Sequence, residues 1–226
     1  MANELIIPAV DLPRAAARQI ADQINGAILA RGHCYCALSG GSSPKPMLAD
    51  LASMSVSWQR VTLLLVDERY TEDPAQQNQT LMQWFVQQLP KPPAQVVWLL
   101  TPGLGLVATV DQANTAVAHF PQQLDVVVLG MGLDGHTASL FPDAEDYPAA
   151  MASRNRYVPV HPTTAPHPRI SMSFDWLAAT RHPTLYIPGP EKLQRLRQIL
   201  AEPQPVSPLQ PLDQALATLD VFSSED

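Results

Sequence analysis

The sequence predicts an α/β fold: three layers, with a mainly parallel twisted sheet and helices on both of its faces. Three observations carry this. Apolar runs of strand length recur along the 226 residues. Most of them stand singly between longer segments of helical period. They are apolar at successive positions rather than in strict alternation, which suits strands buried on both faces. An apolar share of 46% can fill the core of such a protein, and 1–226 reads as one domain.

The elements follow in order. "ELIIPAV" is the first strand run. Behind it Asp11 and Pro13 look like cap and first-turn signals, and Ile20, Ile24 and Ile28 recur every four residues, as on a helix. "CYCALS" is the next strand; alternation points Cys34 and Cys36 to one face, which reads as two buried thiols rather than a metal or redox pair. A helix over 44–53 precedes the strand "VTLLLVDE", and a helix over 77–89 precedes "VVWLL". A helix over 108–119 leads to "LDVVVLG", whose turn runs into a short helix "HTASLF". After "YVPV", "PHPRIS" opens a small polar strand, and "TLYI" leads to a helix over 191–201 with Leu193, Leu196 and Leu200 on one stripe. "LDVF" is the last strand. Prolines gather in connections such as "LPKPPAQ" and "AEPQPVSPLQP", where they stiffen loops.

Composition narrows the function classes. No apolar stretch approaches the ~20 residues of a membrane span. The N-terminus has no basic start or small-residue cleavage site, so a cytoplasmic location is expected. A net charge of -7 argues against a broad nucleic-acid or anionic-membrane surface, since both need many Lys and Arg. A small anionic ligand held by a few converging cations is compatible with it.

Ligands of parallel sheets sit beyond the carboxyl ends of the strands, and the polar motifs fall there. Gly40, Gly41, Ser42 and Ser43 follow the second strand run; with Ser43 as N-cap and Pro44 at the first helical position, free N–H groups face the crevice. This has the form of an anion cradle, and equally that of an ordinary serine-capped turn. Asp67, Glu68 and Arg69 close the third run, where three charges need a task or a salt-bridge network. Arg69 suits a phosphate and equally an ion pair with its acidic neighbours. Gly130, Gly132 and Gly135 formally match Gly-x-Gly-x-x-Gly. The carboxylate a dinucleotide site wants ~20 residues on is missing, however, and Asp134 and His136 occupy the turn. His136 at the start of a helix would favour the neutral imidazole that a general base requires. Asp134 either orients that ring or a substrate hydroxyl, or simply caps the turn. Arg169 stands before a small polar strand, and Lys192 lies at a helix start, against the dipole, as an anionic ligand would explain and as a plain surface lysine would equally allow.

Taken together, "LSGGSSP", "DERY" followed by Asn78, "LGMGLDGHTASLFP", "PHPRIS" and "IPGPEK" resemble, in order and over nearly the whole chain, the 6-phosphogluconolactonases. The resemblance implies a modified Rossmann-like domain similar to glucosamine-6-phosphate deaminases. It also implies no metal or organic cofactor, and a phosphorylated sugar lactone as small-molecule substrate for a monomer or homodimer. It places the catalytic histidine at His136, phosphate-binding groups at Arg69 and Lys192, and a further family arginine at Arg169. Two departures stand out: Gln77-Asn78 where the family usually has Ser-Asn, and a tail, "DVFSSED", without the usual aromatic ending.

The expected reaction is lactone hydrolysis with His136 activating water, Arg69, Lys192 and the Gly41–Ser43 turn holding phosphate, and N–H groups of the Gly132 turn facing the oxyanion. The competing readings are a sugar-phosphate isomerase or deaminase of the same fold, a non-catalytic sugar-phosphate sensor, and a nucleotide oxidoreductase. The first would want an acid soon after the histidine, yet "TASLFP" offers none before Asp143.

Overall fold

The computed structural model describes residues 2–203 and 206–226; Gln204 and Pro205 of the proline-rich connection lie outside them. The chain runs β1 (Ala2–Ile6), α1 (Leu12–Arg31), β2 (Cys34–Leu38), α2 (Lys45–Ala52), β3 (Val61–Leu65), β4 (Asp67–Arg69), α3 (Asn78–Gln88), β5 (Gln95–Val97) and α4 (Leu106–Val117). It continues β6 (Val126–Leu129), α5 (Tyr147–Ala152), β7 (Tyr157–Val160), β8 (Arg169–Met172), α6 (Phe174–Ala178), β9 (His182–Tyr186), α7 (Pro190–Ala201), α8 (Leu209–Ala215) and β10 (Leu219–Ser223).

Seven strands form one parallel sheet in the order β1-β10-β9-β6-β2-β3-β5. β3 is buried at every position and apolar at all but Thr62, as helices packed around a parallel sheet require. From β2 the chain builds outward through β3 to β5, then returns to place β6 on the other side of β2 and builds toward β1. The β2/β6 pair is therefore the switch point at which a crevice opens beyond the strand ends. The helices α1 to α4 and α7 arise where the sequence predicts them, whereas α5, α6 and α8 are not among those predicted. In α1, Ala16, Ala17, Ile20, Ala21, Ile24 and Ala27 are buried, and in α7 Leu193, Leu196 and Ile199. Cys34 and Cys36 are free, fully buried thiols, and burial raises the pKa of both.

Three local readings need correction. "VTLLLVDE" is not one strand. The chain bends at Val66, whose N–H donates to Leu38 O and whose carbonyl accepts from Met172 N–H, and β4 then joins a second, antiparallel sheet in the order β4-β8-β7. "VVWLL" is a strand only through Val97. "HTASLF" is not a helix: Thr137 bridges to Leu140, Ala138 has φ 50°, and the Thr137 hydroxyl donates to Gly130 O at 2.7 Å. Hydroxyls that bond locally to backbone compete with helix formation. Among the described residues no helix is long and apolar enough to cross a membrane.

Candidate active site

The switch point holds a cleft of about 440 Å³. Glu68 and Gly135 do not line it, but most of the residues singled out from the strand-end motifs do: Gly40, Gly41, Ser42, Ser43, Asp67, Arg69, Gly132, Asp134, His136, Arg169 and Lys192. They come from the ends of β2, β3 and β6, from β4 and β8 of the small sheet, and from the first turn of α7.

The turn after β6 builds a histidine–aspartate pair. Asp134 Oδ1 lies 2.6 Å from His136 Nδ1. A carboxylate only accepts, so Nδ1 carries the hydrogen and Nε2 is left with a free lone pair. The hydrogen bond from the ring is also the main reason the Asp134 carboxyl is held below its usual pKa. Phe141 stacks on the imidazole at 4.0 Å between centroids. Glycine at 132 permits this fold of the turn: a Cβ there would lie 2.3 Å from Asp134 Oδ1 and 2.4 Å from the His136 ring. Three of the turn's own N–H groups are engaged. Gly132 N–H donates to His136 O, Gly135 N–H to Gly132 O, and His136 N–H to Asp134 Oδ1. These three N–H groups are therefore not free to face an oxyanion. With no helix behind His136, it is Asp134 and Phe141, not a helix dipole, that set the ring's environment.

Opposite stand three cations. Among the described residues Arg69, Arg169 and Lys192 form no ion pair. Arg69 donates from Nη1 to Gln76 O at 3.2 Å, so the pairing with its acidic neighbours does not occur. Arg169 is 6% exposed, and its buried Nε and Nη1 have no partner. Its guanidinium lies over Phe141, and burial lowers its pKa, as it does that of Lys192. In the antiparallel register Arg69 stands directly opposite Arg169. Like charges facing each other across two strands are unfavourable alone, and an anion between them removes the conflict.

Among the described residues Asp67 forms no ion pair with either arginine, though its charge is felt at Arg169. Its Oδ2 accepts from the Ser139 hydroxyl at 2.5 Å, and its Oδ1 from the Asn78 amide at 3.2 Å. The Asn78 side chain packs on Gly40, where a Cβ would sit 2.2 Å from Asn78 Cγ. Ser43 does not act as an N-cap, because no side chain caps α2. Lys45 turns outward over the Trp84 ring. The tail departs from the family in residue type yet still shapes the site: the Ser224 hydroxyl accepts from Gly189 N–H, and the Ser223 hydroxyl donates to Ile187 O, fixing the loop before Lys192. Sequence reading missed Ser139, Phe141, Thr164 and Tyr186 on the walls. No local signal marks them; only Ser139 and Phe141 lie inside a motif already singled out.

The fold and the cleft make this an α/β enzyme of the kind whose site lies at the switch point of a parallel sheet. Residues 8–219 match the family described as glucosamine-6-phosphate isomerases/6-phosphogluconolactonase, and the chain belongs to that family. It is 38% identical over 193 residues to a 6-phosphogluconolactonase of Pseudomonas putida, covering 84% of this chain and 79% of that protein. It is 34% identical over 212 residues to one of Mesorhizobium japonicum, covering 92% and 89%. The crystal structure of a 6-phosphogluconolactonase from Shewanella baltica superposes with a TM-score of 0.88 at 31% identity, over 99% of this chain and 98% of that one.

Proposed function

We propose that the protein hydrolyses 6-phospho-D-glucono-1,5-lactone to 6-phospho-D-gluconate, the lactonase step of the oxidative pentose phosphate pathway, with the whole chain as one cytoplasmic catalytic domain. One observation carries the reading: three unpaired cations, one with two buried unsatisfied nitrogens, share a cleft with an aspartate-held histidine. The relatives of that name support the choice of substrate.

Arg69, Arg169 and Lys192, with the Ser42 and Ser43 turn, bind the phosphate, and that binding energy seats the ring. Asp134 occupies Nδ1 of His136, so Nε2 takes the proton as water attacks the lactone carbonyl. The negative charge that develops on the carbonyl oxygen lies in the positive field of the arginines. Collapse breaks the bond to the ring oxygen, which takes the proton back from Nε2. The water oxygen stays in the new carboxylic acid, which ionises and releases one proton per turnover. The deaminase reading has no support in this cleft, because Asp143, the first carboxylate after His136, is bound to Thr163 and Thr164 instead.

The test is proton release from freshly made phosphogluconolactone, corrected for spontaneous hydrolysis. The native protein accelerates the reaction, and His136→Ala loses roughly two to four powers of ten in kcat. Near-normal turnover in His136→Ala removes the histidine from the mechanism, and no acceleration by the native protein removes the function.

A further inference from the structure

Glu68 is used by no step above, and it is fully buried and, among the described residues, forms no ion pair, although its charge is felt at Arg169. Its carboxylate instead accepts three backbone N–H groups: Oε1 from Arg69 at 2.6 Å and from Asn78 at 2.7 Å, and Oε2 from Gln79 at 2.7 Å. Asn78 and Gln79 are the first two residues of α3, whose N–H groups have no partner within a helix. The helix supplies no cap of its own: the residue before it, Gln77, makes no capping bond, and its first turn has no acid. Glu68 thus does from a strand ten residues upstream what an N-cap would do locally.

Both site residues that flank this carboxylate depend on it. Arg69 is held at its main-chain N–H by Glu68 and at its guanidinium by Gln76 O, in the loop that ends at α3. Asn78 begins α3, and its side chain fixes Asp67 while lying on Gly40. We propose that Glu68 is a positioning residue, a buried clasp between β4 and α3 that sets where Arg69 and Asn78 enter the cleft. The proposal rests on the reading that Arg69 binds the phosphorylated substrate.

Glu68→Gln keeps the length of the side chain but turns one acceptor into a donor facing an N–H. With Arg69 displaced, KM for the phosphorylated lactone rises on the order of tenfold, the worth of one charge-assisted contact, and kcat stays within about threefold. The split follows from geometry, since His136 and Asp134 stand on the β6 turn, outside this clasp. Weakened binding of inorganic phosphate, by a similar factor, accompanies it. An unchanged KM, or a fall confined to kcat, overturns the proposal. Amide exchange in the native full-length chain gives a second measure that needs no variant and no turnover. The Asn78 and Gln79 amides exchange at least about a hundredfold slower than free amides, although helix-start amides are ordinarily unprotected. Unprotected Asn78 and Gln79 amides refute the clasp. Should the native protein fail to hydrolyse the lactone, the proposed function falls while amide exchange still decides the role of Glu68.

Discussion

Replacing Gly132 by alanine separates folding from catalysis in one methyl group. The new Cβ would stand 2.3 Å from Asp134 Oδ1 and 2.4 Å from His136 Nδ1 and Cε1, where ordinary contact begins at 3.4 Å. Both side chains must therefore give way by about 1 Å. Gly132 is not among the residues with positive φ, so its backbone accepts alanine without strain. The atoms in the way are side-chain atoms at the edge of a cleft, with His136 and Asp134 side chains 28% and 44% exposed. They swing aside at a stability cost of about 1 kcal/mol, the low end for overpacking. Chemistry fares worse. The Asp134–His136 hydrogen bond that fixes the tautomer breaks, and a displacement of about 1 Å at a reacting group is worth on the order of a hundredfold in rate. Urea unfolding and proton release from the lactone measure the two quantities on one preparation. A Gly132→Ala protein with more than a third of native kcat refutes the reasoning, as does one whose activity loss is matched by unfolding.

Two further outcomes follow from buried charge. Arg169→Met removes a guanidinium with two unsatisfied nitrogens and fills its volume with apolar atoms, so thermal stability stays level or rises while KM for the lactone increases at least about tenfold; a destabilised variant with native KM contradicts this. Burial pushes the Glu68 pKa up to about 7, outweighing the three N–H donors that favour its charge. A carboxyl raised in the folded state contributes stability that is fully present below its unfolded value of 4.5 and lost as pH climbs through about 7. The stability of native protein relative to Glu68→Gln therefore falls between pH 4.5 and 7.5 by roughly 3 kcal/mol, read from urea midpoints at the two ends. A relative stability that is flat or rises over that window contradicts the assignment. A buried carboxyl whose ionisation costs this much fits a residue retained for the site's geometry rather than for stability.

The sequence by itself determined the layers and much of the cleft. Val126–Leu129 is apolar at every position and Val61–Leu65 at all but Thr62, the near-continuous apolar composition of strands buried on both faces. The helices are written in period, as Leu193 and Leu196 show, and the motifs at the strand ends named each cation and the histidine. Tertiary structure decided what those residues face. The bend at Val66 moves Asp67 to Arg69 into a second sheet, and only there does Arg69 come opposite Arg169, one hundred positions away. Ser139 reaches Asp67 across seventy-two positions, and that hydroxyl, together with Thr137 on Gly130 O, accounts for the turn where a helix was expected. Glu68 reads in sequence as one more charge in need of a partner, yet it finds three amides rather than a cation. The reason is common to all three. Periodicity and composition report which face of an element is buried. Hydrogen-bond partners are chosen by groups far apart in the chain, and a buried polar group takes whichever donor the completed fold brings within reach.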